Sequence, residues 1–173
     1  MGIKAAVANI EPADILNNVP HLSYVNYTPI MMSLREALNA HMPFTADCLL
    51  MVSSAHEIAL CNTMSSSDNK KRFFHDLDSF IEKNLAPGGK VILRFPDYRK
   101  GSSPEEITRQ RRLTKSLLGH SHPPDELFTL EEFTSAFGTS PIVFIQRPMD
   151  LTHENPENTV LMANVAVFKK KNM

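Results

Sequence analysis

Two short runs, 48–52 (Cys-Leu-Leu-Met-Val) and 90–95 (Lys-Val-Ile-Leu-Arg-Phe), flank a single amphipathic helical segment. This spacing restricts the fold more than any other feature. A strand, a crossover helix and a second strand form a βαβ unit, which implies a parallel pair in a helix-covered sheet. The first run shows no polar alternation after Asp47, as expected of a strand buried on both faces. Between the runs, residues 65–69 offer capping side chains, and Phe73, Leu77, Phe80, Ile81 and Leu85 make one apolar stripe. Pro87-Gly88-Gly89 then stops the helix, because proline cannot continue the ladder and glycine takes positive φ freely.

The flanking segments extend the alternation. Residues 3–10 read as a strand closed by Glu11-Pro12, with a helix over 13–18; residues 21–27 read as a second strand. Pro29 then opens a segment in which Ile30, Leu34, Ala37 and Leu38 fall at helical spacing. Ser103-Pro104-Glu105-Glu106 is a capping box that predicts a helix from Pro104 to about Leu118, ending at Gly119, and Thr129 to Glu132 repeats the device before Phe133 and Phe137. Residues 142–145 and 159–168 are extended runs that predict an antiparallel pair at the sheet's edge. The expected fold is α/β, a doubly wound, largely parallel sheet with helices on both faces and an antiparallel C-terminal pair. One domain accommodates it.

Composition narrows the partners. Eighteen Lys and Arg against 19 Asp and Glu leave a net charge of -1, so no broad field draws the chain to nucleic acid or anionic membrane. Cys48 and Cys61 give neither a disulfide framework nor a zinc spacing, and a reduced cytoplasmic setting is expected. The apolar run at 3–10 is too short for a signal or a membrane span. The lysines at 169–171 read as a solvated end.

In order, Asp47 with its apolar run to Ser53-Ser54-Ala55-His56, the amphipathic helix, Leu85-Ala-Pro-Gly-Gly-Lys-Val-Ile-Leu93 and the closing antiparallel pair resemble class I S-adenosylmethionine-dependent methyltransferases. The resemblance implies that the aspartate opens the fourth strand, that the Pro-Gly-Gly turn precedes the fifth, and that the last two strands form a hairpin. It makes 3–10 the second strand, with Glu11 gripping the cofactor's ribose hydroxyls. It sets Asn26 and Tyr27 beside the adenine and turns Ser53 and Ser54 to the cofactor. Two vicinal hydroxyls can both donate to one carboxylate, which is the physical reason for an acid at Glu11. The same position also suits an acid that only faces a helix N-terminus.

One departure stands out: no Gly-x-Gly occurs, although the family's first strand and glycine-rich loop carry that pattern. In this register both would lie before Ile3, so the domain is expected to be incomplete at its N-terminus. Reading 3–10 as the first strand instead would misplace the Pro-Gly-Gly turn.

His56 is the candidate base, since it follows the buried strand at the carboxyl edge where open α/β sheets bind ligands; a backbone-bonded, inert histidine fits the position too. Asp97 and Tyr98 follow the 90–95 strand and are candidate substrate contacts, or simply a turn. Arg109, Arg111, Arg112 and Lys115 charge the Pro104 helix and suit an acidic substrate or RNA, or simply a solvated helix end. His120 and His122 lack the further ligands a metal site needs. The resemblance implies methyl transfer from S-adenosylmethionine to a small-molecule acceptor, by a whole enzyme or a piece of one. The alternative is a scaffold module of the same fold that has lost the cofactor. Self-association is expected through sheet edges left unpaired by the missing first strand, unless 3–10 moves beside 48–52.

Overall fold

The computed structural model describes residues 4–7, 26–29, 36, 45–52, 55, 59, 65–149 and 159–170. Six strands are present among them: β1 (Lys4–Val7), β2 (Asn26–Pro29), β3 (Ala46–Val52), β4 (Leu85–Tyr98), β5 (Val143–Pro148) and β6 (Leu161–Lys169). The α-helices whose bounds lie among the described residues are α1 (Ser66–Asn84), α2 (Pro104–Leu118) and α3 (Leu130–Phe137), with a short 3-10 turn at Pro124–Glu126; Glu36, Ala55 and Ala59 are helical too. The chain is α/β, as the strand and helix alternation predicts.

β1 and β2 pair in parallel as one small sheet, while the other four strands form a second sheet in the order β3-β4-β6-β5. β3 and β4 are parallel, joined across α1, and β6 runs antiparallel to both β4 and β5. The runs 48–52 and 90–95 are therefore neighbours, Cys48 opposite Lys90 and Val52 opposite Arg94. β1 pairs with β2 and not with β3, so the expected shift of the first run to the side of β3 does not occur among the described residues. Pro29 is the last residue of β2; the helical segment expected after it lies outside the described residues, save Glu36, which is helical.

Local chemistry sets the helix ends. Ser65 caps α1 by accepting from Asp68 N at 3.2 Å, and α2 and α3 each begin with a complete capping box, Ser103 with Glu106 and Thr129 with Glu132. α2 stops at Gly119, whose φ of 80° is the left-handed cap that glycine supplies without strain. α1 ends at Asn84, before Pro87-Gly88-Gly89, because that turn is already part of β4. Lys170 completes this end: its Nζ donates to Ile81 O, Glu82 O and Leu85 O at 2.9, 3.0 and 2.5 Å. The lysine read as a solvated tail is thus a helix C-cap, where a cation meets the negative end of the helix.

The core lies on one face of the larger sheet. Leu49, Met51, Val91, Leu93, Phe95, Ala166 and Phe168 share that face through the strand registers, and Phe73, Leu77 and Ile81 of α1 pack with them. Phe133 of α3 stands 4.8 Å from the Phe95 ring, and Phe137 stands 4.6 Å from Phe168. The expectation that β3 is buried on both faces fails. Met51 is 6% exposed, but Leu50 and Val52, on the opposite face, are 61% and 51% exposed. None of the described helices covers them.

Candidate functional site

β4 carries the chain to the carboxyl edge of the parallel pair, where it ends in Asp97 and Tyr98. Asp97 falls on the core face in register with Phe95, and its partner on β6 is Met162. Its Oδ1 accepts from Tyr98 N at 2.7 Å. Burial pushes the carboxyl up to about 6; the Tyr98 N–H opposes the rise, Glu131 and Glu132 add to it, and Lys70 eases it.

Lys70 and Glu132 are held tightly beside this group. Lys70 Nζ donates to Leu127 O at 2.6 Å and to the two oxygens of Glu132 at 2.9 and 3.2 Å, and it lies 5.3 Å from the centre of the Phe128 ring. Sequence reading missed both residues as members of the site. The available signal was Lys70 itself, a cation three positions before Phe73 on the apolar stripe of α1. Glu132 was legible only as a helix cap.

Tyr98 turns to the other face of β4, and its hydroxyl donates to His122 O at 3.0 Å. Burial raises its pKa, with Arg111 opposing. His122 Nδ1 lies 3.0 Å from Glu126 Oε2, and its ring meets His120 edge-on at 5.4 Å. Of the basic residues on α2, Arg109, Arg112 and Lys115 are exposed, whereas Arg111 is half-buried with Nε lacking a hydrogen-bond partner among the described residues. No group of three or more His, Cys, Asp or Glu among the described residues is placed to hold a metal ion. The arrangement suits proton transfer or cation binding at Asp97: a carboxylate titrating near neutrality can take a proton from an amine or pair with its charged form.

Of the residues that the resemblance assigns to the cofactor, and of the candidate base His56, only Asn26 and Tyr27 are among the described residues. Glu11, Ser53, Ser54 and His56 lie outside the described residues, and Asn26 and Tyr27 contribute the backbone of β2. The adjacent glycines are committed elsewhere. A Cβ on Gly89 would meet Leu85 Cγ at 2.8 Å and Asp47 O at 3.1 Å, which places this pair at the amino end of β4, opposite Asp97. The described residues thus supply no glycine cradle for S-adenosylmethionine.

No family model matches the chain, and no curated protein does. Solved structures do. The chain is similar to the N-methyltransferase NodS from Bradyrhizobium japonicum, solved with S-adenosyl-L-homocysteine, at 12% identity and a TM-score of 0.53, over 95% of this chain and 65% of NodS. It is also similar to the MccD protein at 13% identity and a TM-score of 0.56, over 98% of this chain and 80% of MccD. A SAM-dependent methyltransferase from Methanosarcina mazei gives 11% identity and a TM-score of 0.55, over 99% of this chain and 84% of that protein. The chain thus spans less than two thirds of the length of NodS. No helix among the described residues is long and apolar enough to cross a membrane. The strand order, the crossover through α1 and these likenesses together show that the chain has the fold of the class I S-adenosylmethionine-dependent methyltransferases.

Proposed function

We propose that the chain serves methyl transfer from S-adenosylmethionine to a small molecule, with Asp97 and Tyr98 on the acceptor side. The observation that carries this reading is Asp97: a part-buried carboxylate at the carboxyl edge of a methyltransferase-type sheet, with a pKa of about 6. Open α/β sheets bind ligands at that edge. Methyl transfer asks little acid or base help, because the sulfonium already activates the methyl and alignment supplies most of the rate. An amine acceptor must nevertheless lose its proton, and Asp97 is the proposed recipient. Glu11, Asn26, Tyr27, Ser53 and Ser54 are the proposed cofactor contacts, with His56 as a second candidate base.

The experiment is methyl transfer from S-adenosylmethionine labelled in its methyl group, at millimolar cofactor, to a panel of small amines, phenols and carboxylates. Labelled product that Asp97→Asn abolishes supports the reading. The absence of product from every acceptor, with the chain folded, favours the scaffold alternative, which the missing Gly-x-Gly also suits.

A further inference from the structure

We propose that two copies of this chain associate through β5, pairing antiparallel about a twofold axis at Ile145. The inference is independent of methyl transfer and concerns a different edge from the one expected at β3.

β5 ends the larger sheet, with β6 on one side and no strand on the other among the described residues. It is also the most apolar exposed segment there. Ile142, Val143, Phe144 and Ile145 are 57%, 44%, 41% and 45% exposed. Val143 and Ile145 lie on one sheet face, in register with Val167 and Val165, and Phe144 lies on the other, in register with Ala166. An edge strand apolar on both faces, with its amides unpaired, is a template for another strand.

The direction of the free amides follows from the ladder. Arg99 N donates to Val160 O and Lys170 N to Gly89 O, so the even-numbered residues of β6 face β4 and the odd-numbered ones face β5. Met149 N accordingly donates to Leu161 O at 2.8 Å. By alternation Val143, Ile145 and Arg147 bond to β6, while Phe144 and Gln146 point their N–H and C=O groups outward.

These two residues flank Ile145 symmetrically, which makes the strand its own complement. With Ile145 on the axis, Phe144 exchanges both backbone hydrogen bonds with Gln146 of the second copy, and Gln146 does the same with Phe144. Val143 faces Arg147 across the junction, so the only charge of β5 meets no like charge. The ladder ends at Ile142 and Pro148: Ile142 N is already taken by Val167 O at 2.7 Å, and proline has no N–H to donate. The two four-stranded sheets become one sheet of eight.

Light scattering of the purified full chain over a wide concentration range tests the proposal. Mass should rise from one chain to two, and Gln146→Pro should weaken the dimer at least ~tenfold, since it removes an outward N–H and no backbone bond to β6. The side-chain bond from Gln146 Nε2 to Asn164 Oδ1, 2.8 Å, is lost as well, so Gln146→Ala, which loses that bond and keeps the N–H, is the control and should dimerise like the parent. Circular dichroism of Gln146→Pro checks that it is folded. Cross-linking decides independently: in a chain with Cys48 and Cys61 replaced by serine, Ile145→Cys should form a disulfide dimer on oxidation, because facing Cα atoms of a non-hydrogen-bonded pair lie about 4.5 Å apart. Val143→Cys, which faces Arg147, should not. A monomer at every concentration, or Ile145→Cys that fails to cross-link, overturns the proposal. So does a dimer that survives a folded Gln146→Pro unchanged.

Discussion

Lys70 Nζ lies 2.9 Å from Glu132 Oε1, while Oε2 of the same carboxylate accepts from Thr129 N at 2.8 Å. One acid therefore caps α3 and ties it to α1. Removing it leaves an ammonium that is only 13% exposed with less compensation, and also opens the cap. Glu132→Ala should cost about 1 to 3 kcal/mol in urea unfolding. The pair Lys71 and Asp68 is a built-in control, 3.7 Å apart with the lysine 77% exposed, and Lys71→Ala should cost less than about 0.5 kcal/mol. Equal losses would show that the Glu132 contacts contribute nothing specific.

Leu77 is 1% exposed in the core cluster that joins α1 to β4. Truncation leaves a cavity under the sheet, so Leu77→Ala should cost about 2 to 5 kcal/mol. A loss under about 1 kcal/mol would mean that the stripe does not face the core.

What the sequence made legible was local or periodic. Ser65, Ser103 and Thr129 announce their helices because a cap acts within three residues, and each does so in the structure. The 48–52 and 90–95 runs announce a parallel pair because one crossover helix separates them. The capping of α1 by Lys170 joins positions more than 80 apart in the chain, and no pattern along the sequence encodes it. The burial of Asp97 among Lys70, Glu131 and Glu132 arises in the same way, from packing of α1 and α3 over the end of β4. β3 misled because an unbroken apolar run reports what residues prefer, and not which face a neighbour covers.

Gly89 is fixed by crowding. A Cβ there would sit 2.8 Å from Leu85 Cγ and 2.9 Å from Ala86 O, with Asp47 O at 3.1 Å. Two of these three atoms are backbone and cannot swing aside. Gly89→Ala should therefore destabilise the β3–β4 start by about 1 to 3 kcal/mol. Gly101→Ala is the comparison, because its φ of 86° is strained for alanine but no atom lies within 4 Å of the added Cβ. A thermal melt in which Gly89→Ala is the milder change would refute the crowding.

Asp97 gives the chain a pH signature. Its folded pKa of about 6 lies above the unfolded value of 3.8, so the folded state holds the proton more tightly. That contribution is fully present below the unfolded value and is lost as pH rises through about 6. Asp97→Asn keeps an acceptor for Tyr98 N but removes the charge. The variant should be more stable than the parent by about 1 kcal/mol at pH 8, with solvent screening included, and the gain should shrink towards pH 4. A gain independent of pH would remove ionisation of Asp97 as its cause.

Cofactor affinity is the sharpest remaining test. The 173 residues contain no Gly-x-Gly, and Gly88-Gly89 serves the turn before β4 at the end of the strand away from Asp97. A glycine loop lets backbone amides approach the cofactor's amino-acid end, and few side chains can replace that approach. The two strands that would flank the cofactor, β1 and β3, also belong to separate sheets, so nothing in the described ladders holds their carboxyl ends in register. We therefore expect this chain alone to bind S-adenosylmethionine with Kd above about 100 µM, less than about 5.5 kcal/mol of binding free energy. Whatever binding remains should depend on Glu11, the acid that follows the 3–10 run. Glu11→Ala should weaken it by about 1 to 3 kcal/mol, the usual effect of losing a charged hydrogen-bond partner. Calorimetry on the parent and on Glu11→Ala measures both quantities. Micromolar affinity in the parent would overturn the first expectation, and equal affinities would remove Glu11 from the site.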